Sequence, residues 1–505
     1  MRHLCYSMVF CLFLGMTLAA CGDDQADPVD SGLEDAGLED AGLDDAGPED
    51  AGSEDAGLDD AGSEDAGSED AGSEDAGLED AGSEDAGSED AGSEDAGSED
   101  AGLEDAGEDA GSDDAGTDAG IDLESQLIIE QIGIDNMMGE SALIVGPDGT
   151  SVIIDTGGGS YHHDEILGAV DRWLDARSVD WVILTHFHAD HVGGFAGLFK
   201  PEGGSGSEAI SVRRGVIHRG LYDLNGDFIS NDSACRSMCE ALADPAWNGK
   251  IFTLCEGAAP FSCDGEGAAS PWPADDCSGL LLGDLEQLSD DEDGVLSYLS
   301  LGGNAYLTFF HANAHVATNA GVLSAEDEGL SVGWGGTGPE NNRSLGGVVE
   351  WGQFRFSFHG DLSSQIEDYI EGYKDQLAPG PLGQILPEGS LDATKLSHHG
   401  LIGSTGDGWL DWLWPDDGHD RNALVGTNTG YFFSPSTQVM ANLENLLGEG
   451  WIWVTHDGVV PGDNPRKRLL SSSAVIRVEE AGAVYEVFGL DGLGQPSLLE
   501  SYASH

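Results

Sequence analysis

Positive charge is what this sequence has least of: 18 Lys and Arg stand against 96 Asp and Glu in 505 residues, a formal net charge of −78. Binding a polyanion takes Lys and Arg to neutralise phosphates, so a nucleic-acid substrate is disfavoured. Only the short run Arg466-Lys467-Arg468 reads as a basic patch. Long apolar runs are missing too. The stretch at residues 9–14 is well short of the roughly 20 residues that span a bilayer, and no later segment is long enough. From Gly22 to Gly120 aromatics are absent, and so are Lys and Arg. That segment has nothing from which to build a core.

These gaps divide the chain. Residues 1–20 read as a secretion signal, with Arg2 and His3 ahead of the apolar run. The sequence Leu18-Ala19-Ala20-Cys21 resembles the lipobox of bacterial lipoproteins. That resemblance implies cleavage before Cys21, lipidation of Cys21 and a membrane anchor at the bacterial cell envelope. An ordinary secretory signal is the alternative. Residues 21–120 form a repeat of Ala-Gly-Ser/Leu-Glu-Asp, as in Ala61-Gly62-Ser63-Glu64-Asp65, and hold 39 acids. A period of five fits neither helix nor strand and like charges repel, so a disordered stalk is expected, with an r.m.s. span of about 55 Å before self-repulsion lengthens it. Residues 121–505 form the folded part and are still acidic, with 57 acids against 17 bases.

Cysteine is also sparse, at eight residues. Cys5 and Cys11 leave with the signal. Cys235, Cys239, Cys255, Cys263 and Cys277 crowd into an insertion at about residues 221–300 that is rich in Gly, Pro, Ala and Asp. Disulfides would staple such a segment in an exported chain; a zinc knuckle is the competing reading. Asp223-Leu224-Asn225-Gly226-Asp227 and Asp290-Asp291-Glu292-Asp293-Gly294 lack the full calcium-loop ligand series and read as solvated turns.

What is concentrated is histidine. Asp180-Trp181-Val182-Ile183-Leu184 is an apolar, β-branched run of strand type, and directly after it come Thr185-His186-Phe187-His188-Ala189-Asp190-His191 and then Gly193-Gly194. Three imidazoles and a carboxylate at a strand end are costly to bury unless each finds a partner. A divalent metal supplies one, and imidazole with carboxylate suits zinc.

The spacing His186-x-His188-x-Asp190-His191 resembles the signature of the metallo-β-lactamase superfamily, which implies an α/β fold, the αββα sandwich, with a dinuclear metal site at one edge. The resemblance implies that His186 and His188 hold one metal and Asp190 and His191 the other. The stretch from Met138-Gly139-Glu140-Ser141 to Asp155-Thr156-Gly157 resembles the entry of the ComEC-type (competence-protein) branch, where the Asp of the turn, here Asp155, supports the metal loop from behind without ligating. Asp361, in His359-Gly360-Asp361-Leu362, stands where the family places a carboxylate bridging both metals. Glu340-Asn341-Asn342-Arg343-Ser344-Leu345 and Thr394-Lys395-Leu396-Ser397-His398-His399-Gly400 also resemble the branch. One of His398 and His399 completes the second metal and the other contacts substrate or protonates a leaving group, with His398 marginally preferred as the ligand. His218, His311 and His315 are open candidates for a third histidine on the first metal. Ser434 stands where the branch usually has His.

Strands are expected at 127–132, 141–145, 151–154, 210–217, 305–310 and 347–358, and helices at 164–176 and 195–199. Function follows from the resemblance. Two divalent metals, zinc with manganese as the alternative, about 3.5–4 Å apart would share a water whose pKa falls near 7. The expected chemistry is hydrolysis of a phosphodiester or related ester, with Asp190, Asp361 and His399 as the catalytic residues. The acidity favours a small or cell-envelope substrate. A DNA-directed nuclease and a non-catalytic, metal-stabilised surface protein remain the alternatives.

Overall fold

Alternate residues of the strand Leu127–Gln131 turn to opposite sides: Leu127 and Ile129 enter one buried cluster and Ile128 another. The same split runs through Ala142–Val145, where Ile144 opposes Leu143 and Val145, and through Ser178–Leu184, where Trp181 and Ile183 oppose Val182 and Leu184. A sheet whose two faces are both apolar must be covered on both. One face packs on a second sheet and the other on helices.

The computed structural model describes residues 125–134, 139–203, 210–220, 233–255, 277–286, 294–330, 340–415, 417–426, 435–443, 446–455, 466–470, 472–479, 481–491 and 494–505. The signal, Cys21, the acidic repeat, Cys263, residues 223–227 and 290–293, and Ser434 all lie outside them.

The first sheet runs in the order Pro496–Ala503, Val484–Leu490, Ala474–Glu479, Leu127–Gln131, Ala142–Val145, Ser151–Ile154, Ser178–Leu184, Ile210–His218 and Phe199–Pro201, with Ile251–Thr253 beside Ile210–His218. The second contains Ala305–Ala312, Gly346–Trp351, Phe354–Phe358, Ala393–Lys395, Asn422–Val425 and Ile452–Val454 side by side. Leu307, Phe309, Val349, Phe356, Leu424 and Trp453 of the second sheet share one core cluster with Ile129, Ile144, Val152 and Ile183 of the first. Helix His163–Trp173 buries Ile166, Ala169, Val170 and Trp173 on the outer face of the first sheet. Each large apolar side chain buried there contributes on the order of 2 kcal/mol. Ser364–Glu371 and Asp407–Leu413 bury Ile366, Ile370, Trp409 and Leu413 with the second sheet. The layers are helix, sheet, sheet, helix, the αββα sandwich.

Two expectations needed correction. The expected strand 347–358 is a hairpin, Gly346–Trp351 and Phe354–Phe358, because Gly352 takes a left-handed φ of 59° and reverses the chain. A Cβ there would also meet the carbonyl oxygen of Ala481, so only glycine fits. The helix expected to reach 176 stops at Trp173: Leu174 is already extended, delivering the chain into the parallel pairing of Ser178–Leu184 with Ser151–Ile154. Cys255 and Cys277 form a disulfide, which removes both from any zinc knuckle, and Cys239 is disulfide-bonded as well.

What matters for function is where the parallel strands end. Ser151–Ile154, Ser178–Leu184 and Ile210–His218 are parallel in the first sheet, and Phe354–Phe358, Ala393–Lys395 and Asn422–Val425 in the second. Their carboxyl ends release Asp155, His186, Asp361, His399 and Gly426, one after another. Loops at the carboxyl ends of parallel strands are the usual ligand-binding edge of an α/β sheet.

Helix Ser364–Glu371 carries a buried acid behind this edge. Burial pushes the Glu367 carboxyl up to about 7, against hydrogen bonds from Ser397, Gly406 and Thr405 that pull it down. Its folded pKa exceeds the ordinary 4.5, so its contribution to stability is full below about pH 4.5 and is lost as pH rises through about 7. A loss of about 2–3 kcal/mol across that window is expected. Urea unfolding between pH 4.5 and 8 should show a shallower fall for Glu367→Gln than for the wild type. Glu350, which burial raises to about 7, and Asp392, raised by burial to about 8, keep part of the slope in both proteins.

Candidate metal centre

The loop after Ser178–Leu184 is built from backbone as much as from side chains. Thr185 N–H donates to Asp155 Oδ1 at 2.8 Å and its hydroxyl donates to Asp155 Oδ2 at 2.7 Å. With its proton committed, Thr185 Oγ1 accepts from His186 Nδ1 at 3.1 Å, which leaves the lone pair on Nε2. Asp155 Oδ2 also accepts from His191 Nδ1 at 2.7 Å, which frees His191 Nε2 in the same way. His399 Nδ1 donates to the Gly426 carbonyl at 3.0 Å. Three imidazoles are thereby fixed in the tautomer that presents Nε2 inward.

Those nitrogens converge on one carboxylate. His191 Nε2 lies 3.3 Å from Asp361 Oδ1, while His399 Nε2 and His186 Nε2 lie 3.7 and 3.8 Å from Asp361 Oδ2. Two groups of donors result, Glu140-His191-Asp361-His399 and His186-His188-Asp361, each with its donor atoms within 4.8 Å of one another. Asp361 belongs to both. His186 Nε2 and His188 Nδ1 are 3.1 Å apart, close to the roughly 3.3 Å separating two tetrahedral ligands held at about 2.0–2.1 Å from zinc.

The residues fit a metal on two further counts. His191 Nε2, Asp361 Oδ1 and Glu140 Oε1 are buried without a hydrogen-bond partner among the described residues, which is costly for polar atoms. Asp155, Asp190, Asp361 and Glu140 also bring four carboxylates against the single ammonium of Lys395. Two divalent cations would offset that excess.

The protonation states of the chain alone report the same imbalance. Burial opposes a charge on His191, yet Asp361, Asp155 and Asp190 hold its pKa well above the ordinary value. Burial likewise opposes a charge on His399, and Asp361, Asp190 and Glu140 raise it. Burial dominates at His186, which falls well below the ordinary value. For Asp361 burial would raise the pKa, but the surrounding His191, His399, His398 and His186 hold it well below the carboxylate range.

Of the sequence candidates, His186, His188, His191, Asp361 and His399 fall in the two donor groups. Asp190 and His398 do not. Asp190 Oδ2 lies 3.5 Å from His399 Nε2 with the side chain partly exposed. His398 Nε2 lies 3.8 Å from Asp361 Oδ2 and accepts from Asn341 Nδ2 at 3.2 Å, and its side chain is 15% exposed at the mouth of the site. The donor groups thus include His399 and not His398, the one marginally preferred from the sequence. Both residues take left-handed φ, 47° and 53°, and both rings approach Asp361, His399 Nε2 at 3.7 Å and His398 Nε2 at 3.8 Å from Oδ2. His218, His311 and His315 join neither group. His218 Nδ1 accepts from Gly220 N–H, His311 bonds Ser344 O and His359, and His315 bonds Asn313 O.

Two residues of the centre carried no role in the sequence reading. Glu140 precedes a strand, and nothing local marks it. It is delivered by backbone bonds, its N–H to Asp190 O at 3.0 Å and its C=O from Gly157 N–H at 2.9 Å. Lys395, fully buried, donates to Gly360 O at 2.8 Å and pairs with Glu140 at 2.7 Å. Burial would lower its pKa, but Glu140 and Asp361 raise it, so it is charged.

Comparison with known proteins covers the motif stretch. Residues 136–203 match the family described as metallo-beta-lactamase superfamily. Ribonuclease Z of Clostridium kluyveri is 39% identical over 73 residues, which are 14% of this chain and 22% of that protein. The chain thus matches about a fifth of the length of this curated relative. Among solved structures, a point mutant of the CmlA beta-hydroxylase overlaps 70% of this chain and 54% of its own, at 12% identity and a TM-score of 0.28. Residues 136–203 are thus similar to the metallo-β-lactamase superfamily, and they lie in an αββα sandwich.

Proposed function

We propose that the protein is a hydrolase working at a dinuclear metal centre bridged by Asp361, with a phosphodiester or related ester as substrate. The observation that carries this reading is the sharing of Asp361 between two buried donor groups. Two divalent cations in those groups would polarise a substrate oxygen and lower the pKa of a water to near neutrality. The chain's own residues do the rest. Asp155, Thr185 and Gly426 fix the imidazole tautomers, and Lys395 orients Asp361 and the Gly360 carbonyl. His398 Nε2 accepts from Asn341, so its proton sits on Nδ1, which has no hydrogen-bond partner among the described residues. With Nε2 3.8 Å from Asp361 Oδ2, His398 sits beside the centre and is our candidate for the side chain that contacts substrate.

The identity with ribonuclease Z favours a second reading, a nuclease. The charge balance supports the first over it. The basic run near the end of the chain is answered internally: Arg466 pairs with Glu449, and Arg468 pairs with Glu500 and lies over Trp451. In the favoured reading, lipid on Cys21 and the acidic repeat hold the domain at the cell envelope, facing small or envelope-derived substrates.

Turnover of a generic phosphodiester, a β-lactam, a lactone and an RNA by the full chain tests this. Hydrolysis of the phosphodiester, abolished by chelation and restored by zinc or manganese, is expected. Cleavage of RNA alone would select the nuclease, and a metal-loaded chain inert on the whole panel would select a non-catalytic surface protein. Cys21→Ser should move the protein from the membrane to the soluble fraction; an unchanged distribution would rule out the anchor.

A further inference from the structure

The segment Glu340–Leu345 reaches three of the four segments that carry the donors. Glu340 accepts from Phe187 N–H at 2.7 Å, Asn341 donates to His398, Ser344 Oγ accepts from Asp361 N–H at 2.9 Å, and Leu345 N–H donates to Thr185 O at 2.8 Å. Of these contacts the first is the most constrained. Phe187 lies between His186 and His188, and Glu340, at 1% exposure, is an ionised group in the interior. Its charge is balanced by Arg219, itself fully buried at the end of the strand Ile210–His218.

We infer that the Arg219–Glu340 pair positions the His186-Phe187-His188 loop before any metal binds, and so sets metal affinity at the His186-His188-Asp361 half of the centre. Arg219 Nε donates to Glu340 Oε1 at 2.9 Å and Nη2 donates to Oε2, a two-point fork that fixes the plane of the carboxylate. The guanidinium lies 4.5 Å from the centroid of the Phe187 ring, so the loop is gripped at its amide by Glu340 and at its side chain by Arg219. Arg219 is held in turn by Asn313 Oδ1 at 2.9 Å, and Asn313 Nδ2 returns a bond to the Arg219 carbonyl at 2.8 Å. A buried ion pair contributes little net stability compared with an apolar pair of the same volume, so its place here calls for a role other than holding the fold. Fixing two imidazoles 3.1 Å apart without a metal is such a role.

This inference rests on the reading of the centre as dinuclear, and its test separates the two. Zinc titration of the full chain would compare the wild type with two charge-free doubles, Glu340→Gln with Arg219→Met, and Glu340→Leu with Arg219→Met. The glutamine double keeps an acceptor for Phe187 N–H but loses the fork and the guanidinium on the Phe187 ring, and should fall between the wild type and the leucine double in affinity for one zinc. The leucine double should lose about 10–100-fold in affinity for one zinc and keep the other. Equal, undiminished binding of both ions by the leucine double would overturn the inference. Amide exchange at Phe187 in the metal-free wild type needs no variant: protection comparable to the strand Ser178–Leu184 is expected, and fast exchange would overturn the inference even if the leucine double failed to fold. A wild type that binds no zinc would sink the metal centre itself, and Phe187 exchange would still decide whether the loop is held.

Discussion

Asp361→Ala should abolish zinc binding at both donor groups and reduce hydrolysis to background, while leaving a folded chain. The expectation follows from the carboxylate's position: Oδ1 lies 3.3 Å from His191 Nε2, and Oδ2 lies 3.7 and 3.8 Å from His399 and His186. No other donor belongs to both groups. Removing it takes away one ligand from each ion and also the anion that offsets charge between them. By contrast, His188→Ala touches only the His186-His188-Asp361 group and should leave one zinc bound. The fold should survive the loss of Asp361, because its backbone N–H still donates to Ser344 Oγ and neither apolar cluster includes it. Zinc content by elemental analysis and circular dichroism of the same sample check both halves. Retention of two zinc ions by Asp361→Ala would show that the carboxylate does not bridge.

Asp155→Ala should weaken zinc binding and activity about 10–100-fold, although Asp155 lies in neither donor group. Its Oδ2 takes the Nδ1 proton of His191 and the hydroxyl proton of Thr185, and through Thr185 it sets the tautomer of His186 as well. Without it, both imidazoles are free to carry the proton on the nitrogen that should face the metal. The backbone adds a second penalty. Asp155 has a left-handed φ of 58°, a conformation that Asp and Asn tolerate and Ala resists. Asp155→Asn separates the two effects: it keeps the conformation and one acceptor oxygen but removes the charge. It should be more stable than the alanine variant, because it avoids the backbone penalty, with zinc affinity between that of the wild type and the alanine variant. If the asparagine and alanine variants both bound zinc normally, the tautomer account would be wrong.

The parts legible in the sequence share a physical signature that survives without three-dimensional context. An apolar strand followed at once by clustered polar donors, as in Asp180–Leu184 and His186–His191, marks a site because nothing else explains that density. Asp361 was legible through the family resemblance, standing just past Gly360 at the end of an alternating aromatic strand. The parts that were not legible depend on pairings across long sequence distances. Glu340 meets Phe187 from 153 residues away and Arg219 from 121, and neither separation leaves a local pattern. Lys395 was quoted as part of a motif, yet a lysine in a short strand reads as solvent-facing unless Glu140 and Asp361 are known to lie beside it. Which of His398 and His399 joins Glu140, His191 and Asp361 depends on a left-handed backbone at both residues, which spacing does not encode. The hairpin at Gly352 was missed because strand character is high on both sides, and only the register between Gly346–Trp351 and Phe354–Phe358 exposes the turn.

The central claim is that two metal ions share Asp361. Anomalous diffraction at the zinc edge from crystals of the zinc-loaded protein tests it most directly. The account predicts two peaks, one bound by His186 and His188 and one by His191 and His399, each at about 2.0–2.2 Å from an Asp361 oxygen. A single peak, or two peaks of which either lies out of reach of Asp361, would contradict it.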